Sequence, residues 1–146
     1  MNEIYVFDAC ALIALLSKET GYEKVEKLIE KIKNENTKII MHTVNLLEVY
    51  YHVYKRYDEA AALKFLNEIK DSPIQLIAEV TDDIIINAGR LKKQYKLSLA
   101  DAIGLAETII SKGSFVTADH HELDFVEKNE MINFTGLDNN NQSLII

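Results

Sequence analysis

The sequence predicts an α/β fold built on a parallel sheet, and three observations carry that expectation. Residues 4–7, Ile-Tyr-Val-Phe, form an unbroken run of β-branched and aromatic types, the pattern of a strand buried on both faces. After Asp8 the composition changes to Ala, Leu and Cys, which suit a helix, so a buried strand hands over directly to a helix. Further short apolar runs and amphipathic segments then follow one another along the chain, as strands and crossover helices do. Asp8 is the single charge between residues 4 and 16, and it falls at a strand's carboxyl end, where open α/β sheets bind ligands. It has two readings at this point: the cap of the following helix or a ligand.

Length and charge frame the rest. The 146 residues suit one domain, 1–146, with a core of useful size and a tail at 139–146 that is expected to fray. Hydrophobic residues make up 48%, which excludes a disordered chain. The net charge of −7 argues against coating nucleic acid by bulk electrostatics. It leaves room for an enzyme that meets nucleic acid through bound cations. The single cysteine, Cys10, cannot form an internal disulfide and fits a reducing compartment. No run is apolar enough to span a membrane and no basic region precedes the first apolar run, so the expected location is cytoplasmic.

Taken in order, Thr20-Gly21 interrupts the first helix, and Val25, Leu28, Ile29 and Ile32 then recur at helical spacing through residues 22–33. Residues 38–41 read as the second strand. A helix over 43–54 is expected to open with Asn45 as its cap and Glu48 three residues later, the spacing of a capping box. That spacing gives Glu48 a structural reading beside the chemical one. Tyr50, Tyr51, Tyr54 and Tyr57 cluster here, either as core and partner-facing rings or as platforms for bases. Residues 58–70 form the next helix, stopped by Pro73, the only proline, before a strand at 74–77. Thr81 caps a helix to about residue 95, and Lys92, Lys93 and Lys96 gather at its C-terminal end, where cations suit the dipole. Ser98 caps the following helix with Asp101 three residues in, and Gly104 with Ala100, Ala102 and Ala106 permits close packing. Gly113 ends it. A strand at 114–118 then carries Asp119 at its carboxyl end, followed by a helix at 120–128 and a last strand at 132–134.

Strand–acid–helix thus occurs twice, at Asp8 and Asp119, and cap–x–x–acid occurs twice, at Asn45…Glu48 and Ser98…Asp101. In a parallel sheet such junctions can share one edge, and helix N-termini favour ionised carboxylates. Ionised carboxylates about 5 Å apart repel by roughly 3 kcal/mol per pair at an effective dielectric near 20. A cluster of them calls for a cation or for protonation. Oxygen-only ligation suits Mg²⁺ or Mn²⁺; zinc would want ligand spacing that His42, His52, His120 and His121 lack. Ions of that kind activate water and stabilise the leaving oxygen in phosphodiester cleavage.

Phe7-Asp8, Asn45-Leu46-Leu47-Glu48, residues 98–102 (Ser-Leu-Ala-Asp-Ala) and residues 116–119 (Val-Thr-Ala-Asp) resemble, in order and spacing, the acidic motifs of PIN-domain ribonucleases. The likeness is nearest to the VapC-type toxins of type II toxin–antitoxin systems and spans about residues 3–135. It implies a three-layer α/β/α sandwich around a parallel sheet of order 3-2-1-4-5. It also implies a Mg²⁺- or Mn²⁺-dependent endoribonuclease acting on RNA, a homodimer, and a cognate antitoxin as partner. Carried over by position, Asp8, Glu48, Asp101 and Asp119 would form the catalytic metal site. Thr117, Asn45 and Asp124 would support it, Thr117 by its hydroxyl and Asp124 as an outer acid of the 117–124 motif. The chain departs from the usual pattern at Cys10 and Asn45, where many relatives carry Ser or Thr. Cys10 then reads best as a small buried hydrophobe.

Three other readings compete. A phosphoaspartyl enzyme using Asp8 as nucleophile would want a second Asp where Cys10 stands. A non-catalytic binding or regulatory module would use the acids only as caps. A housekeeping PIN nuclease in RNA processing would share the site without an antitoxin. Lys55, Arg56, Lys92, Lys93 and Lys112 are the candidates for phosphate contacts.

Overall fold

The apolar runs become strands because only a sheet covered on both faces hides them. The computed structural model describes residues 3–34, 36–118 and 123–137. The first half comprises β1 (Glu3–Phe7), α1 (Ala9–Ser17), α2 (Tyr22–Asn34), β2 (Thr37–His42), α3 (Thr43–Arg56) and α4 (Glu59–Lys70). The second comprises β3 (Gln75–Ile77), α5 (Asp82–Gln94), α6 (Leu99–Ser111), β4 (Ser114–Thr117), α7 (Asp124–Glu130) and β5 (Asn133–Gly136). All the strands pair in parallel in the order β3-β2-β1-β4-β5, as the resemblance implied.

Alternation along each strand sorts its side chains between two cores. Tyr5, Phe7, Ile39, Met41 and Val116 pack under α1 to α4 with Leu12, Val25, Leu46, Val49 and Phe65. Val6, Ile40, Phe115 and Phe134 face the other way, onto Ile84, Leu91, Ile103, Leu105 and Val126 of α5, α6 and α7. The result is a three-layer sandwich. The chain begins at the centre of the sheet, builds outward through β2 and β3, then returns to the other side of β1 with β4. Strand order therefore reverses between β1 and β4, which places a crevice at their carboxyl ends.

Gly21 shows how tightly the layers meet. Its φ of 93° lies in the left-handed region, and an added Cβ would strike the Leu137 carbonyl after β5. No other residue fits that turn.

Two expected boundaries move. α3 starts at Thr43, not at Asn45, because His42 caps it: the His42 Nδ1 accepts the Val44 N–H at 3.1 Å. Asn45 is consequently inside the helix and fully buried, and Glu48 sits in the second turn, so the capping box is not formed. α7 starts at Asp124, later than the expected helix at 120–128. Leu123 at its head makes no side-chain cap. The strand at 114–118 ends at Thr117, and the last strand reaches Gly136. Asp119, His120, His121, Glu122 and the 139–146 tail lie outside the described residues.

Candidate active site

Asp8 forms the expected cap and also borders a cleft. It caps α1, one carboxylate oxygen (Oδ1) accepting the Ala11 N–H at 2.9 Å, and its own N–H reaches the Val116 carbonyl of β4 at 3.3 Å. The side chain is almost wholly buried, yet it lines a cleft of about 360 Å³ at the sheet's carboxyl edge. The cap thus fixes the carboxylate against the crevice between β1 and β4.

Asp101 enters from α6. Ser98 caps that helix, its Oγ accepting the Asp101 N–H at 3.0 Å, as the spacing predicted. The cap places Asp101 in the first turn, half-buried on the cleft wall. Glu48 enters from the second turn of α3 and lines the same cleft. It is exposed as a residue. Partial burial in the cleft, and then the charge of Asp101, still raise its carboxyl above the ordinary value. The fold thus holds the Glu48 carboxyl close enough to Asp101 to feel its charge, against the repulsion of like charges.

Asn45 explains how the fold does this. Its Nδ2 donates to the Ala100 carbonyl at 3.1 Å, one residue before Asp101. The buried amide therefore ties α3, the helix of Glu48, to the first turn of α6. Its Oδ1 is buried with no hydrogen-bond partner among the described residues.

Three of the four expected metal ligands, Asp8, Glu48 and Asp101, therefore share one cleft. Among the described residues no group of three His, Cys, Asp or Glu is close enough to hold an ion. Asp119, the fourth, lies outside them. The three acids offer oxygen alone, which fits a hard cation such as Mg²⁺ or Mn²⁺. His42 is taken up elsewhere. With Nδ1 accepting a backbone N–H, its ring proton is on Nε2, which donates to the Glu79 carbonyl at 3.0 Å.

The remaining expected residues divide. Thr117, at the end of β4, is wholly buried and does not line the cleft. Asp124 opens α7 and pairs with Lys128 at 3.3 Å, also away from the cleft lining. Cys10 stands half-buried on the cleft wall rather than in the core. Sequence reasoning did not single out His42 as a cap, since His is an uncommon one. It named Tyr51 for bases and Lys55 for phosphate without placing them beside the acids, and it passed over His52, although offsets of three, four and seven from Glu48 mark one helical face.

A model of the PIN domain matches residues 5–128. The chain belongs to the PIN domain family. Several solved structures share its architecture. A toxin–antitoxin complex from Klebsiella pneumoniae is 23% identical at a TM-score of 0.60, over 82% of this chain and 89% of that one. A DNA-bound VapBC from Salmonella typhimurium is 11% identical at a TM-score of 0.73, over 94% and 99%. VapC20 of Mycobacterium tuberculosis, described as a sarcin-ricin loop cleaving toxin, is 15% identical at a TM-score of 0.60, over 77% and 87%. At such identities the likeness speaks for the fold. No curated protein matches the sequence. Among the described residues, no helix of this PIN domain is long and apolar enough to cross a membrane.

Proposed function

We propose that this PIN domain is a metal-dependent endoribonuclease and the toxin of a VapBC-type toxin–antitoxin pair. The observation that carries the reading is the meeting of Asp8, Glu48 and Asp101, from three separate elements, in one cleft at the sheet's switch point. Caps alone would not require it, because Ser98 already caps α6 without help from the Asp101 carboxylate. The likeness in fold to VapBC and VapC proteins supports the toxin assignment, with an antitoxin as partner; a homodimer belongs to the same proposal.

In this reading Asp8, Glu48 and Asp101, joined by Asp119, hold Mg²⁺ or Mn²⁺. Such an ion supplies a more acidic water and charge neutralisation at the phosphate. The chain's own contributions are positional. The α1 cap holds Asp8 in place, and the Asn45 tie sets Glu48 against Asp101. Glu48, whose proton affinity is raised by burial and by Asp101, would take a proton from an attacking water.

The test is incubation of total RNA with purified protein in Mn²⁺ or Mg²⁺, beside EDTA and Asp101→Asn controls. Discrete fragments that disappear in both controls are expected. Intact RNA in every lane, with no metal-induced rise in melting temperature, would sink the nuclease reading and favour a non-catalytic module.

A further inference from the structure

The face of α3 beyond Glu48 carries an unusual pair. Glu48, Tyr51 and Lys55 are separated by three and four residues, so they lie along one side of the helix, and all of them line the cleft. Tyr51 is 62% exposed beside the acids. The other tyrosines of the cluster are engaged: Tyr50 meets Tyr54 edge-on at 6.1 Å, and Tyr57 lies under the Arg56 guanidinium at 5.7 Å. Lys55 is exposed, and it is the one cation among the described residues lining the cleft.

The other candidate cations are placed differently. Lys92 donates to the Leu97 carbonyl at 2.8 Å. Lys112 follows the C-terminus of α6, the opposite end from Asp101. Lys55 thus faces a cleft lined by three carboxylates, in a chain of net charge −7. Seven residues of helix separate it from Glu48, about 10 Å along the axis. That spacing, with a long flexible side chain, puts a phosphate next to the one at the acids within its reach. The Tyr51 ring lies between them in sequence, open to a flat partner. A base can stack on it only if it has left its own helical stack.

We infer that this α3 face is the substrate track of the site: Tyr51 stacks on one base of an unpaired RNA segment, and Lys55 holds the adjoining phosphate. The inference rests on the nuclease reading and assigns Tyr51 and Lys55 as positioning residues for its RNA.

Two substitutions at exposed positions test it, Tyr51→Leu and Lys55→Met, with Tyr54→Leu as control. Binding of a short, unstructured, fluorescein-labelled RNA is followed by anisotropy across a salt series, in an Asp101→Asn background that does not cleave. The Tyr51 change is expected to weaken binding about tenfold. The Lys55 change is expected to weaken it and to flatten the slope of log K against log salt by about 0.7. Tyr54→Leu and all melting temperatures stay unchanged, and the same RNA held in a duplex binds more weakly. In the cleaving protein both changes raise KM more than they lower kcat. If the wild type cleaves RNA while both variants keep its affinity and salt slope, the track is refuted and the nuclease stands. The track is equally refuted if the two changes weaken only a protein partner. If the wild type neither binds nor cleaves RNA, both readings fall.

Discussion

Asn45 offers the sharpest test of how the site is held. It is fully buried, gives one hydrogen bond to the Ala100 carbonyl, and leaves Oδ1 without a partner among the described residues. Asn45→Ala therefore has opposing effects. Losing the bond costs about 1 kcal/mol, and removing an unpartnered buried oxygen returns a similar amount. A cavity of roughly 25 Å³ costs about 0.6 kcal/mol, while the better helix former returns about 0.6 kcal/mol. The net change in stability should stay within about 1 kcal/mol. Asn45→Asp keeps the shape but turns an oxygen toward the Ala100 carbonyl and buries a charge. Holding that carboxyl neutral at pH 7 means raising its pKa by about three units, close to 4 kcal/mol. That is a large share of the roughly 5–15 kcal/mol of a typical domain. Urea denaturation at pH 7.5 and pH 5, read at constant m, separates the variants: the Asp variant should recover much of its loss on acidification, and the Ala variant should not change. Equal midpoints for both variants at pH 7.5 would refute the buried tie. Both should lower the metal response of the Glu48–Asp101 site, since the tie between their helices is gone.

Other expectations follow from the same geometry. Glu48 binds its proton more tightly folded than unfolded, so its ionised form opposes folding: that penalty is fully present above the raised folded value and fades as pH falls through it toward the unfolded one. Without metal, Glu48→Gln should therefore raise stability slightly near neutral pH, by less than about 1 kcal/mol because Glu48 is exposed, seen as a higher melting temperature, and the gain should vanish near pH 4 while cleavage is lost throughout. His42→Ala removes the α3 cap and the bond to Glu79 from a buried position, and should cost about 2–4 kcal/mol in urea denaturation; His42→Asn, which can still cap, should cost about 1 kcal/mol less. Calorimetry in Mn²⁺ should show a rise in stability of about 2.7 kcal/mol at a hundredfold excess over Kd, absent in Asp101→Asn and after EDTA.

Much of this protein is legible in the order of its residues. The run at residues 4–7 marks a central strand, and β1 does sit mid-sheet with neighbours on both sides. Thr81 and Ser98 cap the helices their side chains were expected to cap. These features depend on a few neighbouring residues and on burial, which a linear pattern records. The start of α3 escapes such a pattern for the converse reason. Asn45 has the side chain of a cap, but the helix continues past it toward β2, because His42, locked by the Glu79 carbonyl from beyond β3, caps earlier.

The class of fold and the presence of acids at element junctions can be read from the linear chain. Those follow from strand and helix periodicity and from the local chemistry of capping. Only the tertiary structure decided which acids meet. Asp8, Glu48 and Asp101 are separated by 40 and 53 residues in turn, and no local rule relates them. They are brought together by the reversal of strand order between β1 and β4, and by one buried amide bridging two helices. The tertiary structure likewise chose Tyr51 and Lys55 from a crowd of tyrosines and lysines, because a helical face acquires a meaning only when packing turns it toward a cleft.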